Sequence, residues 1–114
     1  MLEARQLASE ILVSDKIKRY VVDLVGATRH PKEAGFDDLT GLIAYGASPR
    51  ASIYMIQAAK AHAFLRKRAY VLPDDIKAIA PDILRHRLLL TYEAEAEEVS
   101  VETVIRKLLT MKVP

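Results

Sequence analysis

Apolar positions recur along most of this chain at intervals of three and four residues, the period of a helix with one face against a core. Leu7, Ala8, Ile11 and Leu12 share one face of a first predicted helix, with Glu3, Arg5, Gln6 and Glu10 turned elsewhere. Ser14 or Asp15 can cap a second helix, whose Ile17, Tyr20, Val21, Leu24 and Val25 repeat the same pattern. Gly26 falls near its end and His30-Pro31 marks its outer limit, because the residue before proline avoids the helical region. Pro31 to Phe36 reads as a loop with Gly35 as its pivot, and Asp37 or Asp38 starts a short helical piece through Leu42, Ile43 and Ala44.

The clearest helix start is Gly46-Ala47-Ser48-Pro49. Ser48 is a good N-cap, and Pro49 at the first helical position presets φ without losing a hydrogen bond. The helix predicted to follow runs to about Arg66 and carries Ala51, Ala58, Ala59, Ala61 and Ala63 among apolar residues placed nearly all round it (Ile53, Tyr54, Met55, Ile56, Phe64 and Leu65). That pattern predicts a central, most buried helix, ended by Arg66, Lys67 and Arg68, where the dipole favours positive charge. Tyr70-Val71-Leu72 is an extended stub. Pro73-Asp74-Asp75 opens a helix patterned by Ile76, Ile79, Ala80, Ile83, Leu84 and Leu88, with a kink or break expected at Pro81. Leu88 to Val99 fits an edge strand by alternation and a helix by its alanine and glutamate content. Ser100 caps a last helix with Val101, Val104, Ile105, Leu108 and Leu109 on one face. The sum is an all-α small helical bundle filling one domain, residues 1–114, with room for one short two-stranded β element. Such a pair would join the Tyr70 stub to the region around Leu89 to Tyr92.

Composition narrows the class. Of 114 residues, 51% are hydrophobic and 28% charged, a globular balance with enough chain to bury a core. The absence of cysteine excludes disulfides, thiolate metal sites and a cysteine nucleophile. No apolar run approaches the ~20 residues that span a bilayer. Met1-Leu2-Glu3-Ala4-Arg5 also lacks the basic-then-apolar order of a signal peptide, so a cytoplasmic domain is expected. A net charge of +2 is too small to argue for nucleic acid. Four glycines supply no phosphate-cradling loop, and there is no Walker A motif, no Gly-x-Gly-x-x-Gly and no Gly-x-Ser-x-Gly elbow. The chain by itself is therefore not a complete P-loop enzyme, and no catalytic residue is assigned within it.

Arg50 is the most informative position. It is expected in the first turn of the alanine-rich helix, where unpaired N–H groups and the macrodipole already make the surroundings positive. A cation there makes sense if an anion arrives, because helix N-termini bind phosphate and a guanidinium adds charge and a planar fork of donors. Gly46, without side-chain bulk, lets another backbone or a ligand approach closely. The bland alternative is a surface arginine behind a Ser-Pro cap. Other candidates carry less. His30, His62 and His86 sit on separate elements without metal-ligand spacing, and His62 reads as a satisfied core histidine. Asp74 and Asp75 read as first-turn dipole partners, Glu93, Glu95, Glu97 and Glu98 as a solvated acidic edge, and Arg85-His86-Arg87 as a helix-end cluster.

The blocks Gly46-Ala47-Ser48-Pro49-Arg50-Ala51, Ala58-Ala59-Lys60-Ala61, Tyr70-Val71-Leu72-Pro73-Asp74-Asp75-Ile76, Ala80-Pro81-Asp82-Ile83-Leu84-Arg85-His86-Arg87 and Glu93-Ala94-Glu95-Ala96-Glu97 occur in this order. Together they resemble the C-terminal helical lid of MoxR-family AAA+ ATPases. Val13-Ser14-Asp15 and Ala27-Thr28-Arg29 are similar to the preceding lid helix. The resemblance implies that Arg50, supported by Gly46, Ser48 and Pro49, is a nucleotide-binding sensor 2 arginine reaching the terminal phosphates of ATP. It further implies a parent that binds ATP with Mg and hydrolyses it in a ring, coupling the cycle to chaperone-like remodelling of a client protein. The partners implied are the AAA+ core of the same polypeptide and neighbouring subunits. Family members often place a hydroxyl before the Pro-Asp/Glu-Asp turn, whereas this chain has Leu72, which weakens one cap. Walker A, Walker B, sensor 1 and arginine-finger segments would lie upstream of Met1, so truncation from a longer protein is expected.

The competing reading is a stand-alone small helical module binding nucleic acid or protein. It rests on the clusters Lys16-Lys18-Arg19, Arg66-Lys67-Arg68 and Arg85-Arg87. These fall on separate elements, mostly at helix ends, without interleaved aromatics for base stacking.

Overall fold

The computed structural model describes residues 11–111, so Leu7, Ala8 and most of the first predicted helix lie outside the described residues. Where that prediction enters the described range it fails. Leu12 is extended and forms a parallel bridge with Tyr70, closed by Leu12 N–H to Ala69 O (2.9 Å) and Val71 N–H to Leu12 O (2.9 Å).

Helix α1 spans Asp15–Arg29. The Ser14 hydroxyl accepts the Ile17 N–H at 3.2 Å, and Asp15 in the first turn and Arg29 in the last both complement the dipole. Its predicted face is buried, with Tyr20, Val21 and Leu24 fully enclosed. Burial raises the pKa of the Tyr20 phenol. His30 closes the helix by donating its N–H to Gly26 O. The chain then turns through Pro31–Phe36, where Gly35 takes φ +91°, a value its lack of a Cβ permits.

The predicted helical piece from Asp37 to Ala44 is a single 3₁₀ turn, Asp37–Leu39, followed by strand β1, Ile43–Tyr45. Strand β1 pairs antiparallel with β2, Leu89–Leu90, through Ile43↔Leu90 and Tyr45↔Leu89. The two-stranded element is thus present but its expected partner was wrong: the backbone of the Tyr70 stub is already occupied by Leu12. After β2, Thr91 caps a short helix α4, Tyr92–Ala96, by accepting the Ala94 N–H, and also donates to Gly41 O at 2.7 Å. The ambiguous stretch is therefore strand first and helix second.

Helix α2, Arg50–Leu65, is less buried than its composition suggests. Only the stripe Ala51, Met55, Ala59 and Ala63 is enclosed, while Ile53 is 58% and Leu65 78% exposed. The expectation of a central, most buried helix is corrected. Among the described residues the bundle covers α2 on one side, and its alanines let α3, Pro73–Arg85, pack closely there. Helix α3 buries Ile76, Ala80 and Leu84 and in turn packs on α5, Val101–Leu108, capped as expected by Ser100. Fully burying each of these large aliphatic side chains contributes about 1.5–3 kcal/mol.

Pro81 does not divide α3, which continues through it as one helix. It still removes one backbone donor. Pro81→Ala is expected to raise the unfolding free energy by about 1 kcal/mol, the restored bond being partly offset by a freer unfolded chain. A thermal melt checks this, and a lower Tm would contradict it.

The junction between α2 and α3 is held by Asp75, whose carboxylate is completely buried. It accepts the Leu72 N–H at 2.7 Å, two bonds from Arg68 at 2.9 and 2.7 Å, and one from His62 Nδ1 at 2.6 Å. An ionised carboxylate only accepts, so Nδ1 carries the hydrogen. Burial by itself raises the Asp75 pKa, but these donors together outweigh it and hold the group below the ordinary carboxylate value. Asp75 is more than a dipole partner. It caps the Leu72 N–H in front of α3, where Leu72 itself offers no side-chain acceptor, and it satisfies His62, which is half-buried rather than in the core.

Candidate functional site

The start of α2 is built on the end of α1. Thr28 occupies the next position after Leu24 on the buried stripe of α1 and is 1% exposed. Its hydroxyl donates to Val25 O at 2.6 Å and accepts the Ala47 N–H at 2.9 Å, so both of its hydrogen-bonding roles are used. Gly46 lies directly against the same residue. A Cβ built on Gly46 would stand 2.4 Å from the Thr28 carbonyl oxygen and 2.8 Å from Arg29 Cγ. The close approach expected at Gly46 is therefore made by the backbone of α1.

From this anchor the chain passes through Ser48 and Pro49 to Arg50. The helix start is real, but its cap differs from expectation. Pro49, at φ −55° and ψ −24°, occupies the cap position and no side chain caps the helix. The first turn is closed by backbone alone, Ser48 O accepting Ala51 N–H at 2.9 Å and Pro49 O accepting Ser52 N–H at 3.0 Å. Ser48 keeps its side chain on the exposed side. Arg50 is the first residue of α2, exposed, and flanked by the buried anchors Ala47 and Ala51. It makes no salt bridge among the described residues. Its neighbours on the outer face of α2 are Ile53, Gln57 and Ala61, all exposed and opposite the buried stripe.

The structure brings Gly46, Ser48, Pro49 and Arg50 into one turn, and adds two residues that the sequence reading had not given a site role, Thr28 and Arg29. Thr28 left a signal: a hydroxyl residue continuing an apolar helical stripe. Nothing marked the Arg29 stem as the neighbour of Gly46, since that contact is between residues far apart in sequence.

Three of the eight side chains in the basic clusters find partners within the fold. Arg68 is bound to Asp75, Arg85 to Asp82 and Glu102, and Arg87 lies 5.0 Å over the Tyr54 ring. No group of three or more metal-ligating side chains occurs among the described residues, and no helix there is long and apolar enough to cross a membrane.

Comparison with known proteins agrees with this arrangement. The family model of the AAA lid domain matches residues 40–108, from just after the 3₁₀ turn to the end of α5. Chaperone MoxR1 of Mycobacterium tuberculosis is 45% identical over 109 residues, covering 96% of this chain and 29% of that protein. Protein MoxR of Paracoccus denitrificans is 36% identical over 107 residues, covering 89% of this chain and 32% of that one. A crystal structure of a Cytophaga hutchinsonii protein assigned as an ATPase superposes with a TM-score of 0.95 at 44% identity, over 99% of this chain and 34% of its own. The chain thus spans about a third of the length of these relatives. With the family model, the ordered helices and the relatives in accord, the chain belongs to the AAA lid domains of the MoxR type.

Proposed function

We propose that this chain is the nucleotide-sensing lid of a MoxR-type AAA+ ATPase, and that Arg50 is its sensor 2 residue. The observation that carries the reading is an exposed arginine at the first position of a helix whose start is clamped to the preceding helix. A guanidinium at a helix N-terminus suits a phosphate, since its charge and the positive end of the helix dipole act in the same direction. ATP with Mg would supply the phosphoryl group and its charge. Of that site this chain contributes Arg50, while the groups that hold Mg and direct water belong to the core segment of the longer protein. The apolar outer face that Arg50 heads, with Ile53 and Leu65, supports packing of the lid against that core and against neighbouring subunits.

A charge-assisted bond is worth about 1.5–3 kcal/mol, enough to bias a hinged lid between two positions. Lid movement would then link the nucleotide cycle to chaperone-like remodelling of a client protein. In the full-length protein, Arg50→Ala is expected to lower ATP turnover by roughly 10- to 100-fold, the same energy expressed as a rate. Undiminished turnover in that variant, or ATP hydrolysis by this chain alone, would overturn the assignment.

The second reading, a stand-alone module binding nucleic acid or protein, loses part of its support because Arg68, Arg85 and Arg87 are engaged by Asp75, Glu102 and Tyr54.

A further inference from the structure

We infer that Thr28 is a positioning residue for Arg50: its hydroxyl fixes the α1 end and the α2 start as one rigid piece, so that the arginine is presented at a set place. The inference rests on the sensor reading of Arg50 and deepens it. Thr28 Oγ1 is buried, donates to Val25 O at 2.6 Å and accepts the Ala47 N–H at 2.9 Å. Both bonds join main-chain groups, so the hydroxyl ties the last turn of one helix to the residue from which the next departs. Gly46 removes the bulk that would hold the two backbones apart.

Only Ser48 and Pro49 separate Ala47 from Arg50, and proline leaves little freedom at its own φ. Ala51 then fixes the other side by full burial. Arg50 therefore has an exposed side chain on a backbone pinned immediately before and after it. Without the Thr28 hydroxyl, Ala47 would keep its apolar burial but lose the one directional restraint on its N–H. The turn could then rotate, and the guanidinium would meet the phosphate less often.

Coupling rather than contact is what the test must read. In the full-length protein, Thr28→Val keeps shape and removes the hydroxyl. It is expected to reduce ATP turnover roughly 5-fold, the scale of one lost hydrogen bond, with the same division between kcat and KM as Arg50→Ala. Thr28→Ser should restore turnover, and Thr28→Cys, a poorer acceptor of similar size, should fall between serine and valine. In an Arg50→Ala background, Thr28→Val should cost nothing further, because the residue being positioned is gone. Wild-type turnover in Thr28→Val, losses that multiply in the double variant, or no rescue by serine would each overturn the positioning role while leaving the sensor reading intact. Undiminished turnover in Arg50→Ala alone would instead remove the sensor reading and this inference with it. If Thr28→Val is poorly soluble, the order serine, cysteine, wild type in turnover still decides the matter: serine equal to wild type and cysteine lower supports it, and the two equal overturns it.

Discussion

Asp75→Ala is expected to lower the unfolding free energy by about 3–5 kcal/mol, the cost of removing one partner from a buried ion pair. The aspartate is fully enclosed and accepts four hydrogen bonds, from Arg68 twice, from His62 and from Leu72 N–H. Alanine leaves every one of those donors without its acceptor. Arg68 and His62 are each 23% exposed and recover part of their solvation, whereas the Leu72 N–H at the start of α3 has no alternative cap. The loss should therefore fall mainly on the α2–α3 junction. Urea unfolding with an unchanged m value would measure it, and a loss below 1 kcal/mol would show that the node contributes little.

The same group sets part of the acid response. Its pKa in the folded chain is lowered, so its contribution is fully present above the unfolded carboxylate value of about 3.9. That contribution is lost as pH falls from there through the folded value. Asp75→Asn retains an acceptor for Leu72 N–H but has no charge to lose. The stability difference between wild type and Asp75→Asn should shrink as pH drops below about 4. A difference constant down to pH 2 or so would contradict a role for the ionised form.

Gly46→Ala carries the second large effect. The new Cβ would lie 2.4 Å from the Thr28 carbonyl oxygen and 2.5 Å from its carbon, both backbone atoms within a helix. Arg29 Cγ at 2.8 Å can swing aside, but the Thr28 carbonyl cannot. Relief requires the β1–α2 turn to move off α1, which stretches the Thr28–Ala47 hydrogen bond. Overpacking of this kind costs about 3 kcal/mol, the upper end of the usual range because no rotamer change removes it. Gly26→Ala is the natural control: its Cβ would meet nothing within 4 Å, and in a helix interior it should stabilise by about 0.5–1 kcal/mol. Equal melting temperatures for the two variants would refute the close approach at Gly46.

Most of the helices were legible because their information is local. Ser14 with its apolar face announced α1, Pro73 with its acids announced α3, and Ser100 announced α5, since caps and period act within one or two turns. Arg50 was legible for the same reason: its place after Ser48-Pro49 needs no tertiary knowledge. The errors share the opposite origin. Leu12 and Ile43 have side chains that suit either a helix or a strand, and their conformation, like the choice of partner for Leu89, follows from which backbone lies beside them. The burial of α2 was overread because apolar residues all round a helix say that it has partners, without saying that those partners are in this stretch of chain.

Sequence alone therefore determined the helical bundle, the AAA lid resemblance and Arg50 as the residue to test. Only the tertiary structure decided that Gly46 meets Thr28, that Asp75 gathers Arg68, His62 and Leu72, and that Arg85 and Arg87 reach Glu102 and Tyr54. The physical reason is range. Periodicity, caps and motifs are written in neighbouring residues, whereas the packing of one backbone against another depends on where distant segments come to lie once the core has closed.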